Sequence, residues 1–422
     1  MASLFKVRGI QVAGETTFGT AGSNYTTMRC EEGSDIQPEQ TALENAIAKA
    51  GDYQLARIIG GKRGQATTIH KIHGWTSSAV AAAPSRTEAD NGGATAFDML
   101  LAILASACGN VYSGGYITGT TVSKTGSPTN AITASGGAEL TSFQSGQAVV
   151  WATGTTRRAY EMGWLTSNSA ATPDSAGLLQ NPRRDPQGST IWGSHNIFVR
   201  DLTPYHDSGT VTSFSLKFVG HDAADVVTAV GCQPVGVKIS ATVNQVPTIE
   251  ITWAIAHWTM PGSGGGPSVP SWSFPEPQAA LDWQVSYGGS SDPVYNPTVK
   301  SIELDLGLTR VALEGGHSDS GVEGMVATMR RPKATMQWQW TIDAYNDFAA
   351  QTATPLSFQH GTAPGRMFGW CMPAARLVSF PKRSELDGVA VVDMEFEACL
   401  YTGDSGSDLT KPVDSPLKLA FA

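Results

Sequence analysis

The sequence predicts a mainly β protein built from antiparallel β-sandwich or barrel units with flanking short helices, one unit or two in tandem, plus an inserted β-rich decoration domain. Three observations carry this. Apolar and polar residues alternate with period 2 in at least seven runs. Turn-forming and small residues are plentiful, with 46 glycines and a charged fraction of only 15%. Helical periodicity is confined to a few short stretches.

Along the chain, 41–50 is a first helix candidate. Phe97, Leu100, Leu101, Leu104 and Cys108 share one helical face, with Thr95 and Asp98 spaced like a capping box and Gly109 as a stop. Phe214, Leu216 and Phe218 then alternate with Ser213, Ser215 and Lys217. Val235, Val237, Ile239, Ala241 and Val243 form the next apolar stripe, and Ile249, Ile251, Trp253 and Ile255 form its partner across a turn at 244–247. These two stripes read as a hairpin with one wet face.

The run PGSGGGPSVP at 261–270 is a linker, since neither helix nor strand tolerates it. Beyond it come four more stripes: Leu281, Trp283, Val285 and Tyr287; Ile302, Leu304, Leu306 and Leu308; Met336, Trp338, Trp340 and Ile342; and Val392, Met394, Phe396, Ala398 and Leu400. Tyr345, Phe348 and Ala349 mark another short helix. An echo links the strands of 235–258, ending in Trp253 and Trp258, to those of 300–342, ending in Trp338 and Trp340; it raises a duplicated unit as one of two readings. The resulting division is 1–110 with 196–260 as a first β unit, 111–195 as an inserted or decorating domain, 261–270 as linker, and 271–422 as a second unit with a C-terminal strand and tail.

The 422 residues suffice for two or three domains, and 41% hydrophobic content supports a large core. Net charge is −9, from 28 basic and 37 acidic residues, which excludes a dedicated nucleic-acid binder with clustered cations. It is compatible with a surface past which DNA slides. The five cysteines lie far apart and number odd, so neither a disulfide framework nor a zinc site is expected. The opening residues lack an apolar signal segment and the most apolar run, 97–108, is too short to span a bilayer. A protein made in a cytoplasm, without membrane contact, is the expectation.

Catalytic and metal chemistry is scarce. Gly403-Asp404-Ser405-Gly406 matches the tetrapeptide around the serine protease nucleophile, but no Ala-Ala-His-Cys segment accompanies it, so it reads as a turn. His70 and His73 would share a helix face and hold a metal, yet their strand-like surroundings put them on opposite faces. His221, Asp222 and Asp225, and likewise His317 and Asp319, read as charged loops. Gly60, Gly61, Lys62, Arg63 and Gly64 lack the earlier glycine of a phosphate loop. Lys62, Arg63, Arg330 and Arg331 are the most basic short patches, suited to docking on acidic neighbours. No enzyme activity, cofactor or metal is expected.

Several stretches nonetheless resemble one family. The 9–20 run GIQVAGETTFGT, its continuation through Lys62, Arg63, Gly64, His73 and Trp75 to the 97–109 helix, the central FSLKF (214–218), GCQPVGVKIS (231–240) and IEITW (249–253), and the closing 341–343, 365–368 and 395–398 segments are similar to bacteriophage and prophage tail tube proteins. That resemblance covers most of the chain except 110–195. It implies a virion tail location after assembly in a host bacterial cytoplasm, a β-sandwich that closes into stacked rings, and an inner barrel through which DNA passes without specific binding. It implies partners as well: further copies of the chain, in hexameric or trimeric pseudo-hexameric rings, and tail-tip, tape-measure and terminator proteins. Strands lining such a channel should be polar and preferably acidic, and Glu250, Glu303, Asp305, Glu395 and Glu397 are the lumen-facing candidates. The 310–333 loop would suit contact with the next ring. The competing readings are an adhesin-like or carbohydrate-binding β-sandwich and another virion part such as a decoration or capsid protein.

Overall fold

A computed structural model describes residues 9–43, 58–72, 93–113, 122–124, 130–134, 140–153, 160–169, 174–182, 186–189, 191–199, 213–220, 226–260, 283–288, 298–316, 321–339, 342–361, 367–386, 388–406 and 411–422. The linker at 261–270, the segment around His73 and Trp75, Leu281, Trp340, and the loops holding His221, Asp222, Asp225, His317 and Asp319 lie outside them.

The chain is mainly β, with antiparallel sheets. It begins with β1 (Gly9–Gly14), β2 (Thr26–Met28), β3 (Asp35–Leu43) and β4 (Ile58–Lys71), then α1 (Gly93–Cys108) and β5 (Gly109–Ser113). Seven strands follow: β6 (Val122–Lys124), β7 (Ala131–Ala134), β8 (Ala148–Ala152), β9 (Tyr160–Ser169), β10 (Asp174–Leu178), β11 (Gln187–Ser189) and β12 (Ile191–Gly193). Next come β13 (His195–Val199), β14 (Phe214–Val219), β15 (Val226–Thr242), β16 (Thr248–Ile255) and β17 (His257–Thr259). The last stretch holds β18 (Gln284–Tyr287), β19 (Val299–Asp305), β20 (Leu308–Glu314), β21 (Val322–Arg330), β22 (Lys333–Gln339), α2 (Ile342–Ala350), β23 (Thr354–His360), β24 (Phe368–Leu377), β25 (Lys382–Leu386), β26 (Val389–Ala398) and β27 (Leu417–Phe421).

One connection scheme occurs twice. In the first pass β3 pairs β4, α1 follows, β14 pairs both β1 and β15, and the β15–β16 hairpin returns so that β16 lies on β4. In the second, β19 pairs β22, α2 follows, β23 pairs both β18 and β24, and β24 runs on into β25, whose hairpin partner β26 lies on β22. Each pass yields a quartet, β3-β4-β16-β15 and β19-β22-β26-β25. Pairing of β15 with β19 merges them into one sheet of eight antiparallel strands. The echo between 235–258 and 300–342 therefore matched the wrong strands, since β15 and β16 correspond to β24–β25 and β26. Alternating tryptophans recur in any half-buried strand and do not mark equivalence.

The chain from β5 to β13 occupies the place where three residues suffice to join α2 to β23 in the second pass. Strands β6–β12 form their own seven-stranded sheet, in the order β11-β6-β7-β10-β9-β8-β12. Its small core comprises Phe143, Trp151, Leu165, Leu178 and others. The flanking β5 and β13 pair with each other, and β13 pairs β27, which in turn pairs β24. The C-terminal segment is thus no tail: 417–422 are buried, and β27 joins β24 of the second pass to β13 of the inserted stretch.

Alternation explains the core. Polar-face residues of β16 and β22 are half-buried or exposed, while Ile249, Ile251, Trp253, Ala334, Met336 and Trp338 are buried. Residues of both passes share one cluster, with Phe214 edge-on to Trp253 and Trp338 edge-on to Phe396. Removing about 200 Å² per tryptophan from water is worth at most about 5 kcal/mol each.

Other expectations need correction. Thr41 lies in β3, so the 41–50 helix does not begin there. α1 starts at Gly93, two residues before Thr95, and ends where Gly109 adopts φ +106°. Ile342 opens α2 instead of continuing the β22 stripe. Leu400 is 78% exposed because it lies beyond the end of β26, whose last backbone bonds run from the Ala398 N–H to the Pro332 carbonyl and from the Cys399 N–H to the Ala374 carbonyl. The 310–333 loop is a hairpin, β20–β21.

Candidate functional site

The eight-stranded sheet buries one face, and its other face carries the five carboxylates read from the sequence. Directly opposed residues of neighbouring strands project to the same side. One row across six strands runs Glu250, Lys238, Asp305, Lys333, Glu397, Arg376, each opposite the next. The row beside it runs Lys71, Thr248, Ser240, Glu303, Thr335, Glu395. A third runs Thr242, Ser301, Gln337, Asp393, Lys382. The five candidates therefore share one face, interleaved with cations instead of forming an acidic wall.

Signs alternate along the first row and pairs close diagonally between rows. Lys333 Nζ is 2.6 Å from Glu395 Oε1, and Lys238 Nζ is 3.6 Å from Glu303 Oε1. Its hydrogen bond to Glu395 holds the Lys333 ammonium above the usual lysine range. Gln337 Nε2 donates to Asp393 Oδ1 at 2.9 Å, and Asp305 accepts the Gly307 N–H at 2.8 Å. These groups are half-exposed, so each ion pair is worth no more than about 1 kcal/mol. Acid and base alternate along the first row, while Asp393, Glu395 and Glu397 follow one another on the wet face of β26.

The other candidates among the described residues lie apart from this face. His70 is buried, with Nδ1 2.7 Å from the Arg29 carbonyl and Nε2 3.1 Å from Thr68 Oγ1. Among the described residues no three His, Cys, Asp or Glu side chains gather to hold a metal. Arg63 pairs Glu314 at 2.8 Å and donates to the Gly321 carbonyl, while Lys62 lies over the Trp258 ring. Ser405 Oγ sits 2.8 Å from Ser145 Oγ and its N–H donates to the Thr166 carbonyl. The protease-like tetrapeptide thus clamps the β6–β12 sheet to the body. Its Asp404 is buried against Lys418 and accepts the Asp414 N–H.

Sequence reading missed three devices with no local signature. Glu15 accepts from Ser213 Oγ, Ser215 Oγ and the Gly19 and Gly231 N–H groups, at 2.6 to 3.0 Å. Arg310 donates to the Ser106 carbonyl and Arg330 to the Ala107 carbonyl, so two arginines of the β20–β21 hairpin cap the C-terminus of α1. Gln180, from the β6–β12 sheet, donates to the Gly288 and Pro355 carbonyls and accepts from Ser357 Oγ. Among the described residues no helix is long and apolar enough to cross a membrane. No family model matches the chain, and no curated protein matches it.

Proposed function

We propose that this chain is the tube subunit of a bacteriophage tail, three copies closing one ring and rings stacking into the conduit for phage DNA. The observation that carries it is the repeated connection scheme, which makes one chain two tandem units sharing an eight-stranded sheet. Three chains of eight strands give a twenty-four-stranded barrel with six-fold pseudo-symmetry; six chains would give double that number. At about 4.8 Å between strands, twenty-four strands have a circumference of about 115 Å, and about 37 Å of backbone diameter before tilt widens it. That admits a DNA duplex.

The wet face of the sheet suits a channel lining. A polyanion sliding along it meets each carboxylate beside a lysine or arginine, so it is neither repelled from the wall nor held on it. The β6–β12 sheet packs against β23, β24 and β27, strands of the outer layer, which suits an outward decoration. Trp151, Trp253, Trp338 and Trp370 are buried, so these four rings offer no sugar-stacking face. Tail-tip, tape-measure and terminator proteins are the partners this reading implies, with the assembled chain in the virion tail.

Negative-stain electron microscopy of concentrated protein, with light scattering alongside, tests it. Hollow tubes or stacked rings with three chains and six lobes per ring are expected. A chain that stays monomeric at every concentration, and also in the presence of a tail-tip initiator complex, overturns the reading.

A further inference from the structure

The repeat says more than stoichiometry, because the seam between its two units is visible inside one chain. That seam is the antiparallel pairing of β15, last strand of the first quartet, with β19, first strand of the second. By the connection scheme, the counterpart of β15's second half is β25 and the counterpart of β19 is β3. Within the described residues β25 pairs only β26 and β3 pairs only β4. Among the described residues the sheet therefore ends on two open edges, copies of the two strands already joined in its middle.

We infer that β25 of one chain pairs antiparallel with β3 of a second copy, repeating the β15–β19 seam between chains. This inference rests on the ring reading, and it identifies the surfaces that close the ring.

Two independent features favour a second copy as the occupant. The edges are complementary in charge. β25 exposes Lys382 and Arg383 near its start and Glu385 further along, a net positive strand, and β3 exposes Asp35 and Glu39. Such charges also keep either edge from pairing with its own kind. Exposed apolar side chains gather beside β25 as well: Val378 and Phe380 immediately before it, Val389 across its hairpin, and Tyr345, whose ring meets Phe380 edge-on at 6.2 Å. Four of the eight large exposed hydrophobic residues among those described thus flank this one edge. In the first unit the counterpart region is covered, with β19 along β15 and the β20–β21 hairpin against the end of α1.

Charge reversal tests the pairing. Lys382→Glu with Arg383→Glu makes both edges acidic, and Asp35→Lys with Glu39→Lys makes both basic. Each double variant should raise the concentration needed for assembly at least ten-fold, read by sedimentation velocity, while circular dichroism stays that of the parent. Combining all four changes exchanges the two signs and should restore assembly. Amide hydrogen exchange on the unaltered protein supplies a measurement independent of variant folding. Residues 35–40 and 382–386 should slow at least ten-fold on passing from dilute monomer to assembly. Tubes that form unhindered in the double variants, or edge amides that exchange equally fast in monomer and tube, overturn the seam and leave the tube reading standing. A parent chain that never assembles overturns both.

Discussion

Lys418 Nζ lies 2.6 Å from Asp404 Oδ2, and both side chains are shielded from solvent. Burial pushes the Asp404 carboxyl up, against the pull of Lys418 and of the hydrogen bonds it accepts. The pair joins the C-terminal strand to the segment that clamps the β6–β12 sheet. Asp404→Ala strands a buried ammonium and should cost about 3–5 kcal/mol in denaturant unfolding. Asp404→Leu with Lys418→Met should recover most of it. A loss under about 1 kcal/mol for Asp404→Ala would sink this account. Ser405→Ala removes one hydroxyl contact and should cost about 1 kcal/mol.

Alkaline pH should unfold the chain through its thiols. Cys108, Cys232 and Cys371 are buried, and burial pushes each thiol up from an ordinary value near 9, Cys108 to about 12. The folded state then holds these protons more tightly than the unfolded one. Their contribution is complete below about pH 9 and is lost as pH rises towards 12, each thiol adding a slope of up to about 1.4 kcal/mol per pH unit. Thermal midpoints should fall steadily from pH 9 to 11, and a thiol reagent at pH 8 should leave these three unmodified in native protein. Rapid native labelling of all three would contradict their placement.

Gly307 turns the chain from β19 into β20 with φ +56°, and a Cβ there would lie 2.0 Å from the Arg331 carbonyl oxygen. Backbone must move to admit any side chain. Gly307→Ala should cost more than about 2 kcal/mol, combining left-handed strain with the clash. Gly388, also at positive φ but with open space around its Cβ position, should lose less on the same change. Equal losses at the two sites would refute the steric argument.

Arg330 is buried and donates through Nε to the Ala107 carbonyl at the end of α1. Arg330→Met keeps much of the stem but removes the donors and the favourable charge at the helix C-terminus. A loss of about 1.5–3 kcal/mol is expected, with faster amide exchange confined first to the last turn of α1 and the β20–β21 hairpin. Uniform acceleration across the whole chain would argue that the contact is not a local cap.

Much of the sheet was legible because half-buried strands must alternate, and β15, β16, β19, β22 and β26 all do so on residues the sequence displays. Helices α1 and α2 were legible from apolar spacing. Topology was not, since any two alternating strands look alike, and the echo between Trp253 and Trp338 joined strands that the connection scheme keeps apart. β27 escaped notice because five residues, LKLAF, are buried on both faces and carry no period. The five carboxylates could be read as wet-face residues, but their cations could not be assigned. Lys238 faces Glu250 across the hairpin read from the sequence, but Lys333 lies opposite Asp305 and Glu397, and Arg376 opposite Glu397, only through pairings the sequence does not display.

Those pairings make the charged face open to a test. Asp305→Lys with Glu397→Lys would turn the row from Lys238 to Arg376 into five consecutive cations, because both replaced carboxylates sit between bases in register. Like charges directly opposite cost only about 0.2–1 kcal/mol each on a wet face, so the variant should fold. Wild-type protein should show no measurable DNA binding at about 150 mM salt. The variant should bind DNA oligonucleotides by fluorescence anisotropy, with log affinity falling against log salt at about 0.9 per phosphate neutralised. A slope of about 3 or more would mean the row acts together as a track for the DNA backbone. If the folded variant gains no DNA binding, the alternation of charge is not what keeps this face from holding DNA, and the lining role proposed for it fails on its own ground.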